Sequence, residues 1–369
     1  MRVTLVISAL VAGGAQRVMS GMANYWASRG WPITLLTLAN DAAKPFFDLD
    51  SRAHCIPLGI AGNSPHLIAG FWNNLNRIRV LRQAIRKSNP EVVISFMDQV
   101  NVLTLLATLG LGVRVVVSER IDPNRSRLGA VWEQLRWWVY SRADCIVVQS
   151  RGALAYFLPK FQDRAVVIPN PVVVPPSSES LSDGLPSSPS LIAVGRLTEQ
   201  KQFDLLLKAF ARLKDRYPEW TLTILGEGPL RPMLESLCAQ LGLTDRVSLP
   251  GFVKNPHDYF RHANVFVMSS LFEGFPNALC EAMACGLPVI STECTSGLRD
   301  IICNGENGVL VPSGDEEALA AAMARLMGSE TERQRLARRA VEVTERFSLG
   351  RIMGMWEEVL AGKQGTQEA

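Results

Sequence analysis

Glu273 and Glu281, separated by seven residues in the run Glu-Gly-Phe-Pro-Asn-Ala-Leu-Cys-Glu, are a pair of carboxylates that can divide one reaction between them. Pro276 suits the first position of a helix, and Gly286 followed by Pro288 ends it. The stretch Phe275, Pro276, Asn277, Ala278 then offers an anion the bare N–H groups of a helix start and the positive end of its dipole. Glu273 precedes this helix and Glu281 lies in its second turn. One carboxylate can accept hydrogen bonds from sugar or ribose hydroxyls while the other lies near a reacting carbon. The alternative is a pair of solvated glutamates.

Three further loops follow predicted strands. Arg196, in Val194-Gly195-Arg196-Leu197, and Lys201, in Glu199-Gln200-Lys201-Gln202, flank the first. A guanidinium fork and an ammonium together suit a diphosphate, although the spacing alone also fits two solvated cations. The second, Gly226-Glu227-Gly228-Pro229, lets the backbone approach a ligand closely around Glu227. The third, Gly13-Gly14-Ala15-Gln16-Arg17, is either an anion-binding loop or a tight turn between strand and helix. It matches neither the dinucleotide fingerprint nor the P-loop.

Loops of this kind need strands to hold them. Strands are predicted at 2–8, 33–38, 92–96, 113–118, 145–149 and 165–168, and again at 191–194, 221–225, 247–249, 265–268, 289–291 and 308–311. Helical patterns fall at 15–29, 203–217, 230–241, 316–326 and 332–343, with an amphipathic one at 349–360. Near-continuous apolar strands alternating with helices read as parallel sheets built from βαβ units. The stretch 169–190 carries six prolines and seven serines and little that could pack a core. The expected organisation is therefore α/β, with a doubly wound domain at 1–170, a linker at 171–190, a second domain at 191–345 and a C-terminal helix at 346–369 that packs back on the first domain.

The 369 residues, about 47% apolar and 20% charged, exclude a disordered, collagenous or coiled-coil chain. No window supplies the ~18 uninterrupted apolar residues of a spanning helix. The apolar start from Val3 lacks a clean signal-peptide cleavage site, so a secretory leader is not expected. Seven cysteines without a C-x-x-C pair indicate neither a disulfide framework nor a zinc site, and a reducing cytoplasm is expected. The net charge of +3 conceals an asymmetry: residues 1–170 carry +9 and residues 171–369 carry −6. The basic half calls for an anionic partner.

Together, Glu273 and Glu281, Val194-Gly195-Arg196, Lys201, Gly226-Glu227-Gly228-Pro229, Gly13-Gly14 and Val167-Ile168-Pro169-Asn170-Pro171 closely resemble the family 4 retaining glycosyltransferases of GT-B fold, from Arg2 to about Leu326. The resemblance implies two Rossmann-like domains facing a central cleft, and a hexosyltransferase that uses a nucleotide-diphosphate sugar, UDP-linked by expectation. It implies that Arg196 and Lys201 hold the diphosphate and Glu281 the ribose. It places Glu273, Phe275 and Asn277 near the donor sugar, Gly14 over the phosphates, and the nucleobase near Gly251, Phe252 and Val253. Residues 95–101 and 117–123 look most like the bacterial branch that adds hexoses or N-acetylhexosamines to polyprenyl-diphosphate-linked glycans. No cofactor, no metal and no nucleic acid are expected.

Some family members have a histidine near the reacting sugar, but Val117-Ser118-Glu119-Arg120 has none. His54, His66, His257 and His262 do not clearly take the role, so the donor phosphate itself can receive the acceptor proton. Asp48-Leu49-Asp50 resembles a metal-binding D-x-D but lies in an apparent loop rather than at the end of a buried strand. A GT-B-shaped epimerase and a non-catalytic glycan- or membrane-binding protein are the alternatives; donor turnover separates them. Phe71, Trp72, Leu75, Ile78, Leu81 and Ile85 recur at helical spacing among Arg77, Arg79, Arg82, Arg86 and Lys87. The stretch 125–142 adds Trp132, Trp137, Trp138 and four arginines. These are either core stripes or a peripheral contact with an anionic cytoplasmic leaflet of the inner membrane.

Overall fold

Short β-branched runs bounded by turn residues become parallel strands in both halves of the chain. The computed structural model describes residues 1–39, 45–62, 67–123, 128–173, 185, 189–253, 255–294 and 296–362. His66 and most of the predicted 171–190 linker lie outside these residues. The chain divides into two compact units, Met1–Asn170 with Ile352–Ala369, and Pro171–Arg351.

The first half runs Val3–Ile7 (β1), Gly14–Ser28 (α1), Ile33–Thr37 (β2), Ala53–Pro57 (β3), Leu67–Ser88 (α2), Val92–Phe96 (β4), Asp98–Thr108 (α3), Arg114–Ser118 (β5), Ala130–Val139 (α4), Cys145–Val148 (β6), Arg151–Phe161 (α5) and Ala165–Val167 (β7). Its seven strands form one parallel sheet in the order β3-β2-β1-β4-β5-β6-β7. β1 lies between β2 and β4, with Val3 opposite both Ile33 and Val92. Every residue of β1, β4 and β6 is buried, as strands covered by helices on both faces must be.

The second half runs Ser190–Val194 (β8), Phe203–Ala211 (α6), Thr221–Leu225 (β9), Arg231–Gln240 (α7), Val247–Gly251 (β10), Pro256–His262 (α8), Val265–Met268 (β11) and Asn277–Ala284 (α9). Then come Val289–Thr292 (β12), Val309–Val311 (β13), Glu316–Met327 (α10), Glu330–Ala340 (α11), Val343–Arg346 (α12) and Leu349–Leu360 (α13). Its six strands are also parallel, in the order β10-β9-β8-β11-β12-β13. In each sheet the strand order reverses once, between β1 and β4 and between β8 and β11. Crevices outside the carboxyl ends at such reversals are where open α/β sheets bind ligands.

Three expectations are corrected. β3 is a strand that no apolar run announces, because it is an edge strand pairing only with β2, and of its residues only Ala53 is buried. The helix expected at 203–217 ends at Ala211, after which Leu213 N–H bonds three residues back to Phe210 O at 2.9 Å. Leu213 keeps its core position although the α-helix has stopped. Pro276 caps α9 rather than opening it, and the helix begins at Asn277. Along α13, Trp356 is 1% exposed, its ring 6.1 Å from that of Phe96, and Arg114 Nη1 donates to Leu360 O at 3.0 Å.

Candidate active site

In the second unit the loops after β8, β9 and β10 are stitched together by backbone. Gly195 N–H donates to Leu225 O at 2.9 Å, Leu197 N–H to Glu227 O at 2.9 Å, and Gly226 N–H to Gly251 O at 2.8 Å. This closeness requires glycine at two positions. A Cβ on Gly226 would fall 2.0 Å from Gly195 O, and one on Gly228 would fall 2.4 Å from Leu197 O. Arg196 sits in this layer with an exposed side chain that, among the described residues, makes no hydrogen bond or ion pair, while its carbonyl accepts from Thr198 N–H at 2.8 Å. Glu227 is held differently: Arg231 grips both carboxylate oxygens, at 2.6 and 2.8 Å, and lowers its pKa. That places the Glu227 carboxylate at the start of α7, occupied by its own helix.

Across the β8/β11 reversal, the short helical turn Glu199–Lys201 meets the loop after β11. Leu271 N–H donates to Gln200 O at 2.8 Å, Gln200 Nε2 to Phe272 O at 2.8 Å, and Ser269 Oγ to Lys201 O at 2.7 Å. Gln202 follows in the left-handed region at φ 46°, a strained conformation for a residue with a Cβ. These contacts bring Lys201 Nζ to 2.5 Å from Glu273 Oε1, which also accepts from Ser270 Oγ at 2.7 Å. Ser270 was not expected at the site; only its place three residues before Glu273 could have pointed to it.

No side chain caps α9. The Asn277 N–H is taken by Phe275 O at 2.9 Å and Pro276 has no N–H, so two of the four residues expected to offer open donors do not. Ala278 is the second residue of the helix. Phe275 is buried, with its ring edge-on to Phe347 at 5.6 Å, while Phe252, just after β10, is 50% exposed with Val253 beside it. Glu281 is buried on α9, and His257 Nε2 on α8 lies 3.7 Å from its Oε2. The spacing around Asn255-Pro256-His257 gave no warning of that pairing.

The first unit brings Gly14 to the exposed first position of α1, behind β1. Glu119 and Arg120 follow β5, both buried. Tyr140 OH donates to the Glu119 carboxylate, and burial pushes that carboxyl up to about 7. Arg120 stacks 3.5 Å over Phe96 and donates to Asn170 Oδ1 at 2.7 Å, while burial pushes its guanidinium down to about 9. Asp50 is bound by Arg52 at 2.6 and 2.8 Å, so its carboxylate is committed within its own turn.

The basic helices divide. Leu81 and Ile85 of α2 are core residues, whereas Phe71, Trp72 and Leu75 are exposed. Arg77 and Arg82 are bound to backbone carbonyls, Ile60 O at 2.9 Å and Ala107 O at 2.9 Å among them, and Arg79, Arg86 and Lys87 are exposed. On α4, Arg136 is buried and Trp132 and Trp137 pack into the core. Trp138 is exposed, with Arg142 stacked 4.2 Å from its ring. Arg125 and Arg127 lie outside the described residues. Among the described residues no helix is long and apolar enough to cross a membrane.

Two open parallel sheets, each reversing its strand order once, define a two-unit doubly wound α/β architecture with ligand-type loops outside the strand carboxyl ends. Residues 184–343 match the family described as glycosyl transferases group 1, and residues 13–171 match the glycosyl transferase 4-like domain. The chain belongs to the family 4 glycosyltransferases with the GT-B fold. It is 27% identical over 364 residues, covering 98% of both chains, to a Campylobacter jejuni alpha-1,4-N-acetyl-D-galactosaminyltransferase whose name gives GalNAc-alpha-(1->4)-GalNAc-alpha-(1->3)-diNAcBac-PP-undecaprenol as its acceptor. Sucrose-phosphate synthase from Thermosynechococcus elongatus shares the fold with a TM-score of 0.84 at 21% identity, over 98% of this chain and 100% of that one. So does an Anabaena protein, HepE, solved with UDP, with a TM-score of 0.77 at 17% identity, over 98% and 100%.

Proposed function

We propose that this glycosyltransferase moves a hexose or N-acetylhexosamine from a UDP-sugar to a lipid-linked glycan, with retention of configuration, at the cytoplasmic face of the inner membrane. The observation that carries the reading is the Lys201–Glu273 pair, set between the exposed Arg196 and the start of α9. In this reading Arg196 and Lys201 bind the diphosphate and the N–H groups at the start of α9 add their dipole. Gly226 and Gly228 keep the floor thin enough for that approach. Phe252 and Val253 meet the base, Glu281 the ribose hydroxyls, and Glu273 the donor sugar.

As the bond from the anomeric carbon to the diphosphate oxygen breaks, negative charge grows on that oxygen. Fixed cations already in place stabilise it without reorganisation. The leaving phosphate takes the acceptor hydroxyl proton while the new bond forms on the same face, so no protein base, metal or cofactor is required. The acceptor named for the Campylobacter relative and the UDP in the Anabaena structure support the acceptor and donor classes. Exposed Phe71, Trp72 and Trp138 among exposed cations support a membrane-surface site of work.

A panel of sugar nucleotides read by thermal shift tests the donor, since a ligand that binds the folded state raises the melting temperature. Proton NMR of the product's anomeric signal tests retention. A response to no UDP-sugar, or an inverted anomer, rejects the corresponding part of the reading.

A further inference from the structure

His257 is the second residue of α8, and its side chain is 1% exposed with its ring edge-on to Phe260 at 5.9 Å. Its Nδ1 is 3.2 Å from Asn255 Oδ1. The Asn255 amide is oriented independently, because its Nδ2 donates to Asp258 Oδ2 at 2.8 Å. Its oxygen therefore faces the ring, and Nδ1 carries a proton and donates to it. With Nδ1 committed, Nε2 meets Glu281 Oε2, 3.7 Å away, in one of two ways. A lone pair would face the carboxylate and repel it, or an N–H would point at it and attract it. The low polarity of the buried setting enlarges the difference.

We infer that His257, as an imidazolium with a proton on each nitrogen and its charge matched by Glu281, is a positioning residue whose Nε2–H aims the Glu281 carboxylate at the ribose hydroxyls of the nucleotide. The inference rests on the reading of Glu281 as the ribose acceptor. A carboxylate free to rotate would meet the ribose diol in many orientations. A tether on one oxygen from behind restricts that rotation. At 3.7 Å the contact is longer than a hydrogen bond, and it closes as the hydroxyls draw the carboxylate into place. His257 thus acts on specificity for ribose through Glu281 and touches no substrate itself.

The test is calorimetric titration of the full chain with UDP and with dideoxy-UDP, which lacks both ribose hydroxyls. Wild type should prefer UDP by roughly 10-fold or more, the range for hydrogen bonds to a charged group. His257→Leu should cut that preference to about 2- to 3-fold while dideoxy-UDP binds as before, because only the hydroxyl contacts lose their alignment. His257→Gln, whose amide N–H stands in for Nε2–H, should restore most of it. Equal preference in wild type and His257→Leu overturns the inference and leaves the role of Glu281 intact. No preference in wild type removes the role of Glu281 and the inference with it. Should His257→Leu not fold, proton NMR of the wild-type chain decides: an Nε2–H resonance moved by UDP but not by dideoxy-UDP supports the inference, and its absence overturns it.

Discussion

Lys201 and Glu273 are ion-paired at 2.5 Å, and the oxygen they share also accepts from Ser270. Lys201 therefore has two tasks, whereas the exposed Arg196 has one. Arg196→Ala should weaken UDP binding by about 1.5–3 kcal/mol, the worth of a charge-assisted hydrogen bond, and leave thermal stability unchanged. Lys201→Ala should weaken binding comparably and also lower kcat and the melting temperature, because it strips a buried carboxylate of its cation. Calorimetry with UDP and thermal melts check this. Unchanged UDP affinity in both variants would remove the diphosphate assignment.

The two glutamates should separate kinetically. Glu281→Gln removes a charge from the ribose side and should raise KM for the donor with little change in kcat. Glu273→Gln alters the environment of the reacting sugar and should lower kcat, with donor affinity nearly preserved. Steady-state kinetics with a synthetic acceptor is the measurement. Purely KM-type effects of equal size in the two variants would reject the division.

Two glycine-to-alanine changes should have opposite signs. Gly228→Ala puts a Cβ 2.4 Å from Leu197 O, a backbone atom that cannot swing aside. It should cost about 1–3 kcal/mol of stability and impair nucleotide binding by spreading the loop layer. Gly21 lies inside α1 with nothing within 4 Å of a built Cβ. Gly21→Ala should stabilise by about 0.5–1 kcal/mol through lower chain entropy in the unfolded state. Urea unfolding of both variants checks the pair.

What the sequence makes legible here is backbone, and what it conceals is partners. Among the described residues twelve of thirteen strands follow from β-branched or apolar runs, most plainly the central ones, which are buried on both faces and leave little room for polar residues. β3 escapes because Ala53 is its only buried residue and it carries no apolar run. The glycine and helix-start loops are legible for the same local reason: φ freedom and missing caps are properties of consecutive residues. Lys201 meets Glu273 across 72 positions, and His257 meets Glu281 from another helix. No spacing rule reports such meetings, since only the strand order brings those loops together. Arg136 makes the converse point. In a tryptophan-rich basic segment it resembles a surface cation, yet it is 1% exposed and bonded to Glu133 and Tyr156.

Glu119 should give stability a measurable pH dependence. Its carboxyl is pushed from 4.5 up to about 7 by burial, so the folded state holds a proton that the unfolded chain releases from about pH 4.5 upward. Where the folded state binds more protons, stability falls as pH rises. Glu119 therefore costs no stability below about pH 4.5, costs progressively more between 4.5 and about 7, and carries its full penalty above that. The total is about 3 kcal/mol for one buried carboxyl. Glu119→Gln keeps an acceptor for Tyr140 OH and has no proton to lose. Urea midpoints at pH 5 and pH 8 should converge in the variant relative to wild type. An unchanged difference between the two pH values would show that Glu119 does not ionise across this range.

The membrane contact is testable because the fold separates anchored cations from available ones. Arg77 and Arg82 hold backbone carbonyls, so replacing them would disturb α2 whether or not a membrane is involved. Arg79, Arg86 and Lys87 are exposed on α2, which also exposes Phe71, Trp72 and Leu75, while α4 exposes Val131 and Trp138; Arg142 holds the Trp138 carbonyl at 3.1 Å. Each cation near an anionic leaflet contributes about 1 kcal/mol, so in the proposed contact three would hold the enzyme reversibly and release it as salt rises. The aromatic and aliphatic groups add shallow insertion. Flotation of the full chain with liposomes should therefore show binding that needs anionic lipid and falls with salt. Changing Arg79, Arg86 and Lys87 together to Glu should abolish flotation without changing thermal stability, because none of the three is a carbonyl anchor. Trp72→Ala with Trp138→Ala should weaken binding while leaving its salt dependence intact, since insertion and charge are separate contributions. Equal flotation on neutral and anionic liposomes, or none on either, would leave these side chains as ordinary surface residues and remove the membrane from the reading.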